Sequence, residues 1–560
     1  MLKGKGVSMG IGFGHVIVLK DEDIPITKNK VKDTEHELEY FNKCYNEVIE
    51  ETKESMKDMQ GVETEIMEAY LMIMQDPTLI ESTVNLINED GYNVIYATEQ
   101  GFNTVIDMFR NMDDSYMAER AGDIADIKNR VLARLLNRKS INLSKLESNT
   151  IIVSHELKTS DSAKMNYTNV SGIITEVGGS NSHVSIMART HEIPAVVRVK
   201  DVTKLLRNGD FVGVDGESGE VFINPTESEY NKLLEKKKRF ENEKQELESL
   251  KNIETVTMDG HKLKLYANAG VPDDVALIKN SAAEGIGLFR SEFMYMDSTT
   301  IPTEEEQFNQ YKSVVENMNG KEVIVRTLDI GGDKDLKSME LEKEDNPFLG
   351  YRAIRICLDR IPLFKAQLRA LLRASAYGQL AIMFPMIATI EELKEAKEIL
   401  QDCKNELDKE NIQYDKEIKV GIMIEIPSAA MIAKELAQEC DFFSIGTNDL
   451  IQYTVAAERG NDKVAYIYNK YNPGVIRLIK MAIDGAHSAG IMCGMCGEAA
   501  GDPNYISLLI GLGLDEFSMN TGSLLRVKKI ITTSDKEKCE EIAKDILKMS
   551  SAKEIEKYLK

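Results

Sequence analysis

Basic side chains are scarce in this chain: 69 Lys and Arg face 92 Asp and Glu, a formal charge of −23 over 560 residues. A protein that grips a nucleic-acid backbone needs clustered cations to neutralise phosphates, so that class is excluded and a basic protein partner fits better. Cysteine is scarce too, seven residues at no framework spacing, which argues against a disulfide scaffold and for a reducing, cytoplasmic setting. No apolar run reaches the ~18 residues of a membrane helix. With 12 prolines and 42% hydrophobic residues against 29% charged, the composition is not that of a disordered chain. A removable leader is not expected either, because Gly10, Gly12, Gly14 and His15 break up the apolar stretch near the start and no small-residue cleavage site follows.

The length exceeds what one hydrophobic core sustains, so two to four domains are expected. Residues 7–19 (VSMGIGFGHVIVL) read as a glycine-rich turn entering a strand, after which long charged helical periodicity takes over. From 31 to 140 there are 23 Asp and Glu against 11 Lys and Arg, a net of −12, which marks an acidic helical module built of hairpins. From about 150 short strands return (TIIVS, SGIITEVGG, IPAVVRV, DFVGVDGESGEVFIN), so the helical module reads as an insertion into a small α/β domain. Residues 226–253 alternate charges like a solvated linker helix. After 254 come eight candidate strands separated by helical stretches, LKLYAN, GIGLFR, VIVRTLD, LAIMFPM, VGIMIEI, FFSIG, GIMCGMC and EFSMN, the pattern of a (β/α)8 barrel. The expected fold class is therefore multidomain α/β: a swivelling α/β domain (1–30 and 141–225), an inserted α-helical domain (31–140), a linker helix (226–253) and a TIM-type barrel (254–560).

Active sites of such barrels form at the C-terminal strand ends. The polar residues falling there are Arg290, Arg326, Glu425, Asn448, Asp449 and Cys496. Arginines offer planar bidentate donors to phosphate and carboxylate, and two acids beside an amide suit an oxygen-liganded Mg²⁺, so together they describe a site for a small phosphorylated acid. A single Arg or Glu at a strand end is ordinarily a surface or ion-pair residue. Arg326 weakens that reading because it interrupts an apolar inner strand, where an unpaired charge is costly. Cys493 and Cys496 form a lone C-x-x-C, ambiguous between a zinc half-site, a redox pair and chance; Cys493 reads as a small apolar residue and Cys496 as a candidate proton donor. In GGSNSHVSIMAR, His183 stands at the start of a helical run after Gly178 and Gly179. A lone histidine is ordinarily structural, but helix-start N–H groups stabilise an anion, so this one is placed to carry a phosphoryl group, with Arg189 close in sequence to neutralise it.

These segments resemble the PEP-utilising enzyme family, which includes Enzyme I of the bacterial phosphotransferase system, pyruvate phosphate dikinase and phosphoenolpyruvate synthase. The likeness spans nearly the whole chain and rests on GGSNSHVSIMAR, GLFRSEFMYMD, TEEEQF, VIVRTLDIGGDK, NPFLGYRAIR, DFFSIGTNDLIQY, AAERGN and GMCGEAAGD. The resemblance implies a phosphohistidine at His183, phosphoenolpyruvate held by Arg290, Arg326, Arg352 and Arg459 with Asn448 touching it, Mg²⁺ on Glu425 and Asp449, and Cys496 protonating the enolate of pyruvate. It further implies that the helical insertion docks the phosphocarrier protein HPr, with Glu63, Glu65, Glu68, Asp123 and Asp126 candidates on charge grounds, that the barrel forms a homodimer, and that the reaction opens sugar uptake. The ATP-dependent relatives would need a further nucleotide-binding domain of roughly 200 residues. A nitrogen-related paralogue would carry an extra N-terminal domain, and a non-catalytic adaptor would have no use for a nucleophile and an acid together. Two departures from the family pattern stand out: Asn181 where threonine is usual and Met9 where proline is usual. The nearness of Cys493 to Cys496 also suggests that oxidation joins the two.

Overall fold

The computed structural model describes the chain apart from residues 20–25, 57–61, 111–114, 138–142, 164, 180–181, 297–299, 333–338, 340, 343 and 462; for 55, 62–66, 115–119, 144, 160, 163 and 183 it describes the backbone alone. It divides into two compact units, Met1–Glu243 and Lys244–Lys560.

The first unit is built on an eight-stranded mixed sheet of β1 (Leu2–Lys3), β2 (Lys5–Ser8), β3 (Ile11–Leu19), β4 (Thr150–Ser154), β5 (Val170–Thr175), β6 (Ala195–Val197), β7 (Phe211–Asp215) and β8 (Glu220–Ile223). Their order is β1-β8-β7-β3-β4-β5-β6-β2, with β3 to β6 parallel and the remaining pairs antiparallel. The glycines of β3 are a packing requirement, since a Cβ on Gly12 or Gly14 would collide with the backbone carbonyls of Ser171 and Asn149. Between β3 and β4 the described residues form five α-helices, Thr34–Ser55, Val62–Gln75, Thr78–Asn88, Val94–Arg110 and Ser115–Leu135. They close on a core of their own that includes Phe41, Tyr70, Phe102 and Ile127. Asp33 caps the first of them by accepting from the His36 N–H at 3.1 Å. The helix Glu227–Ser249 buries Leu233 alone, so its polarity reflects exposure.

The second unit is a closed barrel of eight parallel strands: β9 (Lys264–Ala269), β10 (Ile286–Arg290), β11 (Val323–Arg326), β12 (Leu380–Phe384), β13 (Lys419–Ile424), β14 (Phe442–Ile445), β15 (Met492–Met495) and β16 (Glu516–Met519). All eight lie on the apolar runs singled out in the sequence. Alternation along each strand sorts the side chains: Leu265, Val325, Phe443, Cys493 and Phe517 pack outward against the helices, while Tyr266, Leu288, Ile324, Met423, Phe442 and Cys496 fill the bore. Two outer helices begin with complete capping boxes, Thr303 with Glu306 and Thr389 with Glu392, as S/T-x-x-E predicts. No described helix is long and apolar enough to cross a membrane.

Alternation also corrects the redox reading of C-x-x-C. Cys493 and Cys496 are three apart along one strand direction, so one faces the outer core and the other the bore. Both are free thiols, and residues on opposite faces of a strand cannot present their Cβ atoms to each other as a disulfide requires.

Candidate active site

The C-terminal end of the barrel gathers most of the residues selected from sequence. Arg290 ends β10 and Arg326 ends β11, and the two are register partners. Arg326 is 7% exposed. Its guanidinium pairs with Glu292, and its Nη1 lies 2.9 Å from Asp329 Oδ2. Arg352 follows a short 3₁₀ turn and is 3% exposed. Its Nη2 meets Asp329 Oδ1 at 2.9 Å and stands 3.8 Å from Asp449 Oδ2, while Nη1 donates to the Tyr453 hydroxyl at 3.1 Å. Asp329 therefore bridges two buried arginines. Burial opposes both charges, but Asp329, with Glu292 for Arg326 and Asp449 for Arg352, outweighs it and holds both guanidinium pKa values above their usual range. Neither Glu292 nor Asp329 was selected from sequence; the signal was an acid within a few residues of an arginine ending an apolar strand.

Glu425 directly follows β13 and is 1% exposed, with Oε1 accepting the Met386 N–H at 2.7 Å. Met386 adopts a φ of 57°, a left-handed conformation rare for a non-glycine residue, which aims that N–H at the carboxylate. Burial, then Asp449 and Asp329, push the Glu425 carboxyl well above the usual range, against the pull of Arg326 and Arg352. Asp449 lies in the first turn of the helix Thr447–Val455, with Asn448 beside it donating to Glu498 Oε1 at 3.3 Å. A buried Glu425 whose ionisation its acidic neighbours oppose is a donor that a divalent cation fits. Two hard carboxylate oxygens, with further positions left to substrate and water, is the way Mg²⁺ is ordinarily held. Among the described residues no group of three or more His, Cys, Asp or Glu forms an all-protein cage.

Cys496 follows β15 and is 4% exposed, its thiol facing the bore. Burial pushes that thiol up to about 11, while Ser444 and Arg326 draw it back down, so it carries its proton at neutral pH. Arg459 lies in the exposed loop after the helix Thr447–Val455, its N–H donating to Gln452 Oε1 at 3.0 Å. It stands near Tyr468, whose hydroxyl donates to the Asn448 carbonyl at 3.1 Å.

His183 belongs to the other unit. It is the first residue of the helix His183–Thr190, with Ser182 at the N-cap and Gly178 at a φ of 123° in the turn before it. The hydroxyls of Ser182 and Ser185 both donate to the Gly179 carbonyl, at 2.8 and 2.6 Å, which fixes the turn and turns the Ser182 hydroxyl away from capping the helix start. Arg189 sits in the last turn, roughly 9 Å along the axis from His183, and its Nη1 donates to the Val7 carbonyl at 3.4 Å. The cation at the glycine turn is instead Arg198, whose Nε donates to the Gly178 carbonyl at 2.9 Å, a residue that sequence reasoning missed. Asn181 lies outside the described residues.

The acidic insertion needs a correction as well. Asp126 is 3% exposed and accepts the Tyr70 hydroxyl at 2.7 Å, and Asp123 pairs with Arg120 at 3.0 Å and accepts the Thr159 hydroxyl at 3.0 Å. Both serve internal packing, whereas Glu68 is exposed; the side chains of Glu63 and Glu65 are outside the described residues.

Three family models match consecutive stretches: the N-terminal part of PEP-utilising enzymes over residues 3–120, their mobile domain over 146–219 and their PEP-binding domain over 244–536. A phosphoenolpyruvate-protein phosphotransferase of Bacillus subtilis is 46% identical over 563 residues, covering 100% of this chain and 99% of the relative. Another, of Staphylococcus carnosus, is 44% identical over 558 residues, covering 99% and 97%. Among solved structures, an NMR solution structure of Enzyme I (nEIt) is 37% identical and covers 43% of this chain and 100% of that one, with a TM-score of 0.39.

Proposed function

Because this chain belongs to the PEP-utilising enzymes and is a phosphoenolpyruvate-protein phosphotransferase among them, we propose that His183 takes the phosphoryl group of phosphoenolpyruvate and passes it to a histidine of the carrier HPr, releasing pyruvate, as the first step of phosphotransferase-system sugar uptake. The observation that carries this reading is the convergence of Arg326, Arg352, Asp329, Glu425, Asp449 and the Cys496 thiol at one end of the barrel.

Phosphoryl transfer passes through a loose transition state, so catalysis is mainly positioning and charge neutralisation. Arg326 and Arg352, held rigidly by Asp329, present fixed donors to the phosphate and carboxylate of the substrate; Arg290, Arg459 and Asn448 complete the grip. Glu425 and Asp449 would hold Mg²⁺, which when bound would supply further neutralisation of the phosphoryl oxygens. The neutral imidazole of His183 attacks phosphorus. The leaving enolate takes the Cys496 proton at C3 and departs as pyruvate. The N–H groups at the start of the helix His183–Thr190, with Arg198 beside the turn, stabilise the phosphohistidine. His183 and the arginines belong to different units, and a swing about the segment 226–253 would let His183 alternate between donor and carrier.

In this reading 1–30 with 141–225 is the phosphohistidine domain, 31–140 docks HPr, 226–253 is the linker, and 254–560 binds substrate and forms the homodimer of a cytoplasmic enzyme. A rapid-quench assay of pyruvate released by Mg²⁺ and phosphoenolpyruvate tests the site. Arg326→Gln and Glu425→Gln should each slow release by at least about a hundredfold, and release at the wild-type rate in both variants would contradict the assignment.

A further inference from the structure

The barrel bore holds a polar row that the proposed mechanism leaves unused. Ser444 of β14, Gly494 of β15 and Glu516 of β16 are register partners, so their inner faces lie side by side. Gly494 has no side chain, and a Cβ there would collide with Glu516 Oε2; one on Gly287 would stand 2.6 Å from Glu516 Oε1 and 2.6 Å from the Ser518 hydroxyl. Two glycines thus clear the space that the Glu516 carboxyl fills. Glu516 and Ser444 are each 0% exposed, yet both Glu516 oxygens and the Ser444 hydroxyl lack an aligned hydrogen-bond partner. Orphaned buried polar groups of this kind are costly and call for an explanation. Cys496 lies two residues beyond Gly494 on the same face, roughly 7 Å up the bore, and Ser444 is close enough to its thiol to lower its pKa.

A cavity lies next to the row, toward the opposite end of the barrel, although Glu516 and Ser444 do not themselves line it. Lys264 is the register partner of Glu516, and together with Met492, Asp515, Glu284 and His487 it lines a cavity of about 650 Å³ at the N-terminal strand ends. Resting on the reading of Cys496 as the acid, we infer that Glu516 is a relay residue that returns the proton to Cys496 through the Ser444 hydroxyl, drawing on water in the cavity beneath. After Cys496 has protonated the enolate, its thiolate takes the Ser444 hydroxyl proton and forms S–H. Because Ser444 and Glu516 are not hydrogen-bonded to each other, the transfer passes through a bridging water: the Ser444 oxygen takes a proton from that water, the water takes the carboxyl proton of Glu516, whose O–H bond breaks, and the resulting carboxylate takes a proton from water on the cavity side. The supporting electrostatics agree: burial pushes the Glu516 carboxyl up to about 8, with Lys264 opposing and Glu322 and Asp515 reinforcing, so it holds a proton to give at neutral pH. The other titratable groups near it are Tyr266 and Cys496 in the bore, with Cys493 on the far face of β15.

The test uses the whole enzyme with Mg²⁺, phosphoenolpyruvate and carbon-labelled pyruvate in D₂O. Passage of label into phosphoenolpyruvate counts chemical cycles, and deuterium entering the pyruvate methyl counts how often the Cys496 proton exchanges with solvent. In Glu516→Gln, isosteric with the neutral acid, and in Ser444→Ala, deuterium entry per label passage should fall at least about tenfold, because the same proton then returns to C3. Label passage stays within a few fold and itself reports a folded site. The wild-type ratio should also fall as pH rises through about 8, and the Glu516→Gln ratio should not. Equal ratios in wild type and both variants overturn the relay alone. Undiminished label passage in Cys496→Ala overturns instead the reading of Cys496 as the acid.

Discussion

Asp329 shows how charge is organised at the scale of single residues. It lies 2.9 Å from Arg326 and 2.9 Å from Arg352, all three nearly sealed from solvent. Removing one member leaves a buried charge uncompensated, so Arg352→Met should destabilise the barrel by about 3–5 kcal/mol, measurable as a fall in its denaturation midpoint. In the other unit, burial would raise the Glu176 carboxyl, but hydrogen bonds from His155, at 2.7 Å, and Thr203 outweigh it and hold the group at about 2. A carboxyl held below its usual value of about 4.3 contributes stability that is present above that value and is lost as pH falls through the folded one. The thermal midpoint of Glu176→Gln should therefore lie below that of the wild type at pH 7, and the two should converge near pH 2. The arginines and acids at strand ends were legible because charge at the end of an apolar run is conspicuous. Asp329, Glu292 and Arg198 were not, since their significance lies in which charged or carbonyl group they meet across the fold.

Individual elements were more legible than their faces. Each barrel strand is an apolar run, and each capping box is a four-residue signature, so both could be read directly. Which side of a strand a residue takes depends on the register of its neighbours. That is why Cys493 and Cys496 read as a pair in sequence yet face opposite sides of β15, and why Glu516, inside the run DEFSMN, passed as part of an ordinary strand. The same register makes Gly494 sensitive. Gly494→Ala drives a Cβ into the Glu516 carboxyl and should cost about 1–3 kcal/mol, read as a lower denaturation midpoint, with Glu516→Gln leaving the clash in place and Glu516→Ala relieving it.

Across the whole molecule, the change in texture from glycine-rich strand to acidic helix and back announced an insertion, because helices with a core of their own need a different periodicity from the sheet they interrupt. The net charge of the insertion was legible, but the share of it available to a partner was not, since Asp126 is committed to Tyr70 and Asp123 to Arg120. The account divides labour between a unit that carries the phosphoryl group and a barrel that detaches it from the donor. The most direct test is the intact mass of the wild-type protein and His183→Ala after incubation with phosphoenolpyruvate and Mg²⁺, with ATP and Mg²⁺ in parallel. The account predicts one acid-labile phosphoryl group from phosphoenolpyruvate, none from ATP, and none in the variant; an adduct that survives in His183→Ala, or no adduct from either donor, would contradict it.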